Sequence, residues 1–108
     1  MAEERGNESA PEGATSSEGG IVRKLLICNR KGLHARASAK FVQTVEKLDA
    51  DVRVTRGGET VGGTSIMGLM MLAAASGSAI IVEATGKEAA EVIGALSELI
   101  SSRFGEDD

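Results

Sequence analysis

Apolar residues in the last third of the sequence recur every three or four positions. This spacing places them on one face of an α-helix, and the residues are Ala89, Val92, Ile93, Leu96, Leu99 and Ile100. Just before them, Thr85 and Glu88 have the spacing of a capping box, which satisfies the free amides of a first helical turn. The segment predicts an amphipathic helix whose apolar face packs against a second layer.

The segments before this helix alternate between strand-like and helical patterns. Four of them have the branched apolar content or the alternation of β-strands: residues 21–28, 51–56, 59–62 and 79–84. A helix from Ala35 has its apolar face on Ala37, Phe41, Val42, Val45 and Leu48. A second, short helix is predicted within 64–77, which is too long for a strand. The order β-α-β-β-α-β-α predicts an α+β fold, a two-layer open-faced sandwich with three helices on one face of a four-stranded antiparallel sheet.

Charge and composition divide the chain near residue 20. The first 20 residues hold five glutamates and one arginine, whereas acidic and basic side chains are equal in number from residue 21 onwards. We therefore predict a disordered acidic tail at 1–20 and one domain at 21–108. The domain lacks a basic surplus and the chain has 2% aromatic residues, which argues against nucleic-acid binding. Without a secretory signal or a membrane-length apolar run, we expect a cytoplasmic protein with no membrane insertion.

The only cysteine is Cys28, so no disulfide can form within the chain, and we interpret it as a small buried apolar residue. One histidine and one cysteine cannot supply three metal ligands, and no GxxxxGK[ST] phosphate loop is present. We expect no metal and no cofactor. A Ser-His-Asp arrangement stays open by counting alone, although the chain has no nucleophile elbow.

The only histidine, His34, lies between Gly32 and the first predicted helix. As N-cap of that helix it would precede a first turn formed by Ala35, Arg36 and Ala37, whose amides have no intrahelical partner. A neutral imidazole can accept a phosphoryl group near pH 7, and these amides with Arg36 would hold the phosphate oxygens. By spacing alone, a solvated histidine at a helix end is the commoner alternative and stays open.

Two motifs, GLHARASAKFV from Gly32 and TSIMGLMML from Thr64, resemble the HPr family of histidine-containing phosphocarrier proteins of the phosphotransferase system. The resemblance runs from about Leu25 to Ile100 and matches the predicted order of elements. It implies that His34 accepts phosphate on Nδ1 from phospho-enzyme I and passes it to a downstream EIIA-type acceptor. Arg36 matches the arginine that contacts the phosphoryl group. The implied protein is a carrier, not an enzyme, and we expect a monomer.

The sequence departs from the family pattern LHxRPA at Ala37, where proline is usual. Alanine keeps helix propensity and returns one amide donor, so we expect altered tuning of the phosphohistidine and not loss of function. By sequence, Thr64 or Ser65 is an N-cap of the short helix. The resemblance adds that Ser65 is phosphorylated by an HPr kinase/phosphorylase, which would place negative charge beside a docking surface.

Partner contacts are also implied by the resemblance. It places Ile66, Met67, Met70 and Ala39 on a partner-facing surface near the histidine. Leu69 and Leu72 are predicted core residues, as is Phe41. The leading hypothesis is a phosphocarrier regulated at Ser65. The alternatives are a signalling module of a nitrogen or metabolic regulatory branch with little role in sugar transport, and a generic α+β interaction domain with an inert histidine.

Overall fold

The computed structural model describes residues 20–106, which form a sheet layer and a helix layer. The strands are β1 (Ile21–Leu26), β2 (Asp51–Arg56), β3 (Glu59–Gly62) and β4 (Ala79–Thr85). The helices are α1 (Ala35–Glu46), α2 (Ile66–Met71) and α3 (Ala89–Ser101), and a 3-10 turn follows at Arg103–Gly105. The predicted disordered tail, 1–20, lies outside the described residues except for Gly20, and it stays a prediction.

The four strands form one antiparallel sheet in the order β1-β4-β2-β3. Strand β4 is central, with Ile80 opposite Leu25 of β1 and Val82 opposite Val54 of β2. Its burial alternates along the strand, so that every second side chain enters the core while the others face away from the helices. The predicted open-faced sandwich and its order of elements are confirmed.

The core lies between the sheet and the helices. Phe41 and Leu69 are completely buried and Leu72 is nearly so, which confirms the three predicted core residues. The helix α3 buries Val92, Ile93, Leu96 and Ile100 against the sheet. Beyond it, Phe104 is also buried, so the core continues into the segment after the last helix.

The predicted capping box at the start of α3 is wrong. The helix begins at Ala89 with Glu88 itself as N-cap, and the Glu88 side chain makes no capping hydrogen bond. Its carboxylate instead accepts from the Asp49 amide at 2.7 Å, while the Glu88 amide donates to the Asp49 carbonyl at 2.8 Å. These two bonds fasten the start of α3 to the turn before β2, a contact between residues distant in sequence that local spacing does not reveal.

The prediction of a buried Cys28 is also wrong, because its side chain is exposed. Strand β1 ends at Leu26, and Ile27 then turns fully into the core, bonded through its backbone to Ser78 and Gly77. The next side chain therefore points outward. The Cys28 thiol lies 3.1 Å from the carbonyl oxygen of Ile100 at the end of α3.

Candidate functional site

The loop before α1 is fixed in place by a contact that only glycine allows. Gly32 has a φ of +68°, and a Cβ on it would lie 2.3 Å from the carbonyl oxygen of Ala74. The next amide, of Leu33, donates to that same oxygen at 3.0 Å, and the Leu33 side chain is buried. The loop is thereby seated on the segment after α2, and His34 follows immediately.

His34 is the N-cap of α1, as the sequence predicts. Its backbone is extended, with φ −76° and ψ −177°, and its carbonyl accepts from the Ser38 amide at 2.9 Å. The side chain makes no capping hydrogen bond, so the imidazole is available for other contacts. The amides of the first turn, at Ala35, Arg36 and Ala37, precede the first intrahelical donor, so they have no partner within the helix and can donate to an anion.

The imidazole is oriented by a carboxylate from the far end of the chain. The Nε2 atom of His34 is hydrogen-bonded to Oε2 of Glu106, and the two side chains are 28% and 15% exposed. Within residues 20–106 the structure shows no hydrogen bond to Nδ1. An Nε2–H donated to the carboxylate leaves the lone pair on Nδ1, so in this tautomer Nδ1 is the ring nitrogen that can form a new bond.

Three cationic side chains share a cavity with the histidine. Lys31, Arg36 and Lys40 line the same open cavity as His34, together with Ala35, Gly105 and Glu106. The Lys40 ammonium donates to the Phe104 carbonyl at 2.5 Å, which ties α1 to the 3-10 turn. Arg36 is exposed in the first turn of α1, so its guanidinium is accessible to an incoming anion.

The predicted phosphate contacts differ in what they can offer. Ala35 is exposed, whereas the Ala37 side chain is completely buried. Any contact from Ala37 to a phosphate is therefore limited to its backbone amide. Ala39 is partly buried in the next turn. The small side chains of Ala35 and Ala39 leave the imidazole, which is 28% exposed, accessible from outside.

The second motif lies in a surface helix. Ser65 is exposed and is the N-cap of α2, where its Oγ accepts from the Gly68 amide at 3.0 Å. The apolar side chains that follow are exposed by 39% at Ile66, 73% at Met67 and 42% at Met70, and Met71, which sequence analysis missed, is 69% exposed. Met70 lines a cavity with His34, so this apolar surface reaches the histidine.

Sequence analysis missed three residues that hold the site. Asn29 is fully buried and donates from Nδ2 to the Gly32 carbonyl at 2.8 Å and to Glu106 Oε1 at 3.1 Å. Lys40 and Glu106 are the other two. Asn29 had the signature of a turn residue only, and Glu106, 72 positions after His34, had no local signal.

Two further features concern metal binding and membrane spanning, and both statements apply to residues 20–106. This part of the chain holds no group of three or more His, Cys, Asp or Glu side chains placed to bind a metal ion. It also has no helix that is long and apolar enough to cross a membrane.

Comparison with known proteins shows the family of this chain. The family model described as PTS HPr component phosphorylation site matches residues 21–102. The phosphocarrier protein HPr of Neisseria meningitidis (serogroup A) is 51% identical over 88 residues, covering 82% of this chain and 99% of its own. The phosphocarrier protein NPr of Shewanella violacea is 32% identical over 86 residues, covering 80% of this chain and 94% of its own.

A solved structure gives the same result for the fold. The crystal structure of HPr-C-His from Thermoanaerobacter tengcongensis superimposes with a TM-score of 0.77 at 39% identity, covering 81% of this chain and 98% of that one. The matched family, the relatives' shared description as phosphocarriers, and the common fold lead to one conclusion. The chain belongs to the HPr family of phosphocarrier proteins of the phosphotransferase system.

Proposed function

We propose that this chain carries a phosphoryl group on Nδ1 of His34, which it receives from phospho-enzyme I and passes to an EIIA-type acceptor. The observation that carries the proposal is the placement of the histidine: Nε2 is bonded to Glu106, and His34 itself is the N-cap of α1. The nitrogen lone pair attacks the phosphorus atom, the P–N bond forms and the bond to the donor nitrogen breaks. First-turn amides and Arg36 neutralise the oxygens during the transfer.

The test uses purified protein, enzyme I and labelled phosphoenolpyruvate. We expect one label per chain that is lost in acid and stable in base, as for a phosphohistidine. His34→Ala removes the only histidine, so it should abolish the label. Arg36→Ala should retain the label but acquire it more slowly, because a charge-assisted contact to the oxygens is lost. An acid-stable label, or a label that survives in His34→Ala, would refute the carrier assignment.

We also propose that Ser65 is a regulatory phosphorylation site for an HPr kinase/phosphorylase. Its exposed hydroxyl lies next to the apolar surface of Ile66, Met67 and Met70, which we assign, with Ala39, to partner docking. A phosphate there adds roughly −1.5 to −2 charges beside that surface. Acidic partners would then dock more weakly.

Three variants test this regulation. Ser65→Asp should slow phosphorylation of His34 by enzyme I, whereas Ser65→Ala should not. Thr64→Asp places the same charge on the preceding exposed residue and shows how strictly the effect depends on position. An unchanged rate in Ser65→Asp would argue against the switch.

The relative named NPr favours keeping a second candidate function. In this alternative the domain is a phosphorylation-dependent signalling module of a nitrogen or metabolic regulatory branch, with little role in sugar transport. A strain that lacks the protein separates the two. Loss of growth on transported sugars supports the carrier role, and normal sugar uptake with altered gene regulation supports signalling. A cytoplasmic monomer stays our prediction for either function, and sedimentation equilibrium tests the oligomeric state.

A further inference from the structure

The segment after α3 turns back towards His34 through an unusual backbone. Arg103, Phe104 and Gly105 have φ values of +58°, +56° and +74°, three consecutive left-handed residues of which only the last is glycine. Residues with a Cβ rarely adopt this conformation, so other contacts must hold it in place.

Those contacts are visible on both sides of the turn. The Phe104 ring is 1% exposed in the core, and its carbonyl accepts from the Lys40 ammonium of α1 at 2.5 Å. Within the turn, the Gly105 amide donates to the Ser102 carbonyl and the Glu106 amide donates to the Arg103 carbonyl. The turn is therefore anchored by a core side chain and by α1, the same helix that begins at His34.

The result of the turn is a carboxylate fixed at two points. Glu106 Oε1 accepts from Asn29 Nδ2 at 3.1 Å, and Oε2 is bonded to Nε2 of His34. Asn29 is itself fully buried and donates to the Gly32 carbonyl, so its side chain is held in one position in the loop. Both carboxylate oxygens thus have defined partners, and the plane of the imidazole is set by them.

We propose that Glu106 is a positioning residue for His34, which keeps the ring proton on Nε2 and directs the Nδ1 lone pair outward. This role rests on the proposed phosphoryl transfer. As Nδ1 forms its bond to phosphorus, the neutral ring becomes a phosphoimidazolium, and the carboxylate stabilises that positive charge through the Nε2–H bond. When the phosphoryl group leaves, the ring departs as neutral imidazole with its proton still on Nε2. No proton is exchanged with solvent in either direction.

The negative charge of Glu106 does not oppose the phosphate directly. Nδ1 and Nε2 point away from each other in the ring plane, so the carboxylate and the phosphoryl group lie on opposite edges of the imidazole. Lys31, Arg36 and Lys40 line the same cavity as His34 and Glu106, and their positive charges offset the repulsion between the two anions. The arrangement therefore combines a fixed ring with a cationic surface for the phosphate.

The first test is nuclear magnetic resonance of the ring nitrogens, because the single histidine gives one unambiguous pair of signals. In the unmodified protein we expect an Nε2-bound proton that exchanges slowly with water. Glu106→Ala should lose that proton signal to exchange, whereas Glu91→Ala, which removes an exposed carboxylate from the first turn of α3, should keep it. If the proton signal is the same in Glu106→Ala, Glu106 does not position the ring.

The second test is transfer from phospho-enzyme I to the full-length chain. We expect Glu106→Ala to lower kcat about tenfold with KM changed less than about twofold, because one charge-assisted hydrogen bond to a partly exposed ring is lost. Glu91→Ala should match the unmodified protein. A raised KM with unchanged kcat would show that Glu106 contacts the partner and would overturn the positioning role. Failure of the unmodified protein to become labelled would refute the phosphocarrier proposal, while the ring spectrum would still decide the role of Glu106.

Discussion

Replacing Gly32 by alanine should destabilise the fold and displace the loop before His34, because Gly32 packs against the backbone of Ala74. The new Cβ would lie 2.3 Å from the Ala74 carbonyl oxygen and 2.9 Å from the Ala75 Cα. Both are backbone atoms and cannot rotate away. The left-handed φ of +68° costs an alanine about 1 kcal/mol. Separating the loop from Ala74 also breaks the buried Leu33–Ala74 hydrogen bond, which costs about 2 kcal/mol more.

Gly57→Ala is a matched control for this substitution. Gly57 has a similar φ of +59°, but nothing lies within 4 Å of its added Cβ, so only the conformational cost of about 1 kcal/mol applies. For a domain of this size we expect Tm to fall by about 15 °C in Gly32→Ala and by about 5 °C in Gly57→Ala. Circular dichroism suits the measurement, because the chain has no Trp or Tyr for fluorescence. Equal shifts in the two variants would refute the close-contact argument.

Three further substitutions test individual features of the structure. Ala73 follows α2 with a φ of +53°, a conformation that glycine adopts without strain. Ala73→Gly should therefore stabilise the fold by about 0.5–1 kcal/mol in urea unfolding, and a loss of stability would contradict the left-handed backbone. Ser65→Ala should destabilise it by about 1 kcal/mol in the same assay by removing the cap on the Gly68 amide, and no change would mean that the cap does not stabilise α2. Cys28→Ser should change stability by less than about 0.5 kcal/mol, and a thiol reagent should modify Cys28 rapidly in the native protein; slow modification would show a buried thiol.

The sequence predicted the elements well because their apolar periods are regular. Alternation in β2 and the three-to-four spacing in α3 both reflect one buried face, and the structure buries those faces. The N-cap at His34 was also predictable, since Gly32 is a turn-forming residue and the helical spacing of apolar residues begins directly after His34. The two errors, at Cys28 and at the start of α3, both occur where an element ends and a contact from elsewhere decides which way a side chain points.

Only the site residues that belong to short sequence motifs were predictable. His34, Arg36 and Ser65 stand in short motifs, so the sequence could indicate them. Glu106 could not be found in this way, because its contact with His34 depends on a left-handed turn at Arg103 and Phe104 that residue types do not favour. Phe104 was the one available signal, since an aromatic residue in a polar terminus indicates an anchored chain.

The geometry around α2 distinguishes two ways in which a phosphate on Ser65 could reach His34. A phosphate that reshaped α2 would act through Ala74, whose carbonyl holds the loop before His34, or through Met70, which lines a cavity with His34. Ser65, however, already caps α2 through its oxygen, and a phosphate oxygen can accept from the same Gly68 amide. The helix and the Ala74 contact would then persist. The effect that we propose for Ser65 therefore follows from charge on the docking surface and not from a change in the loop. Because charge interactions are screened by salt, the effect should weaken as ionic strength rises. Phosphorylation of Ser65 should also raise KM for enzyme I more than it lowers kcat.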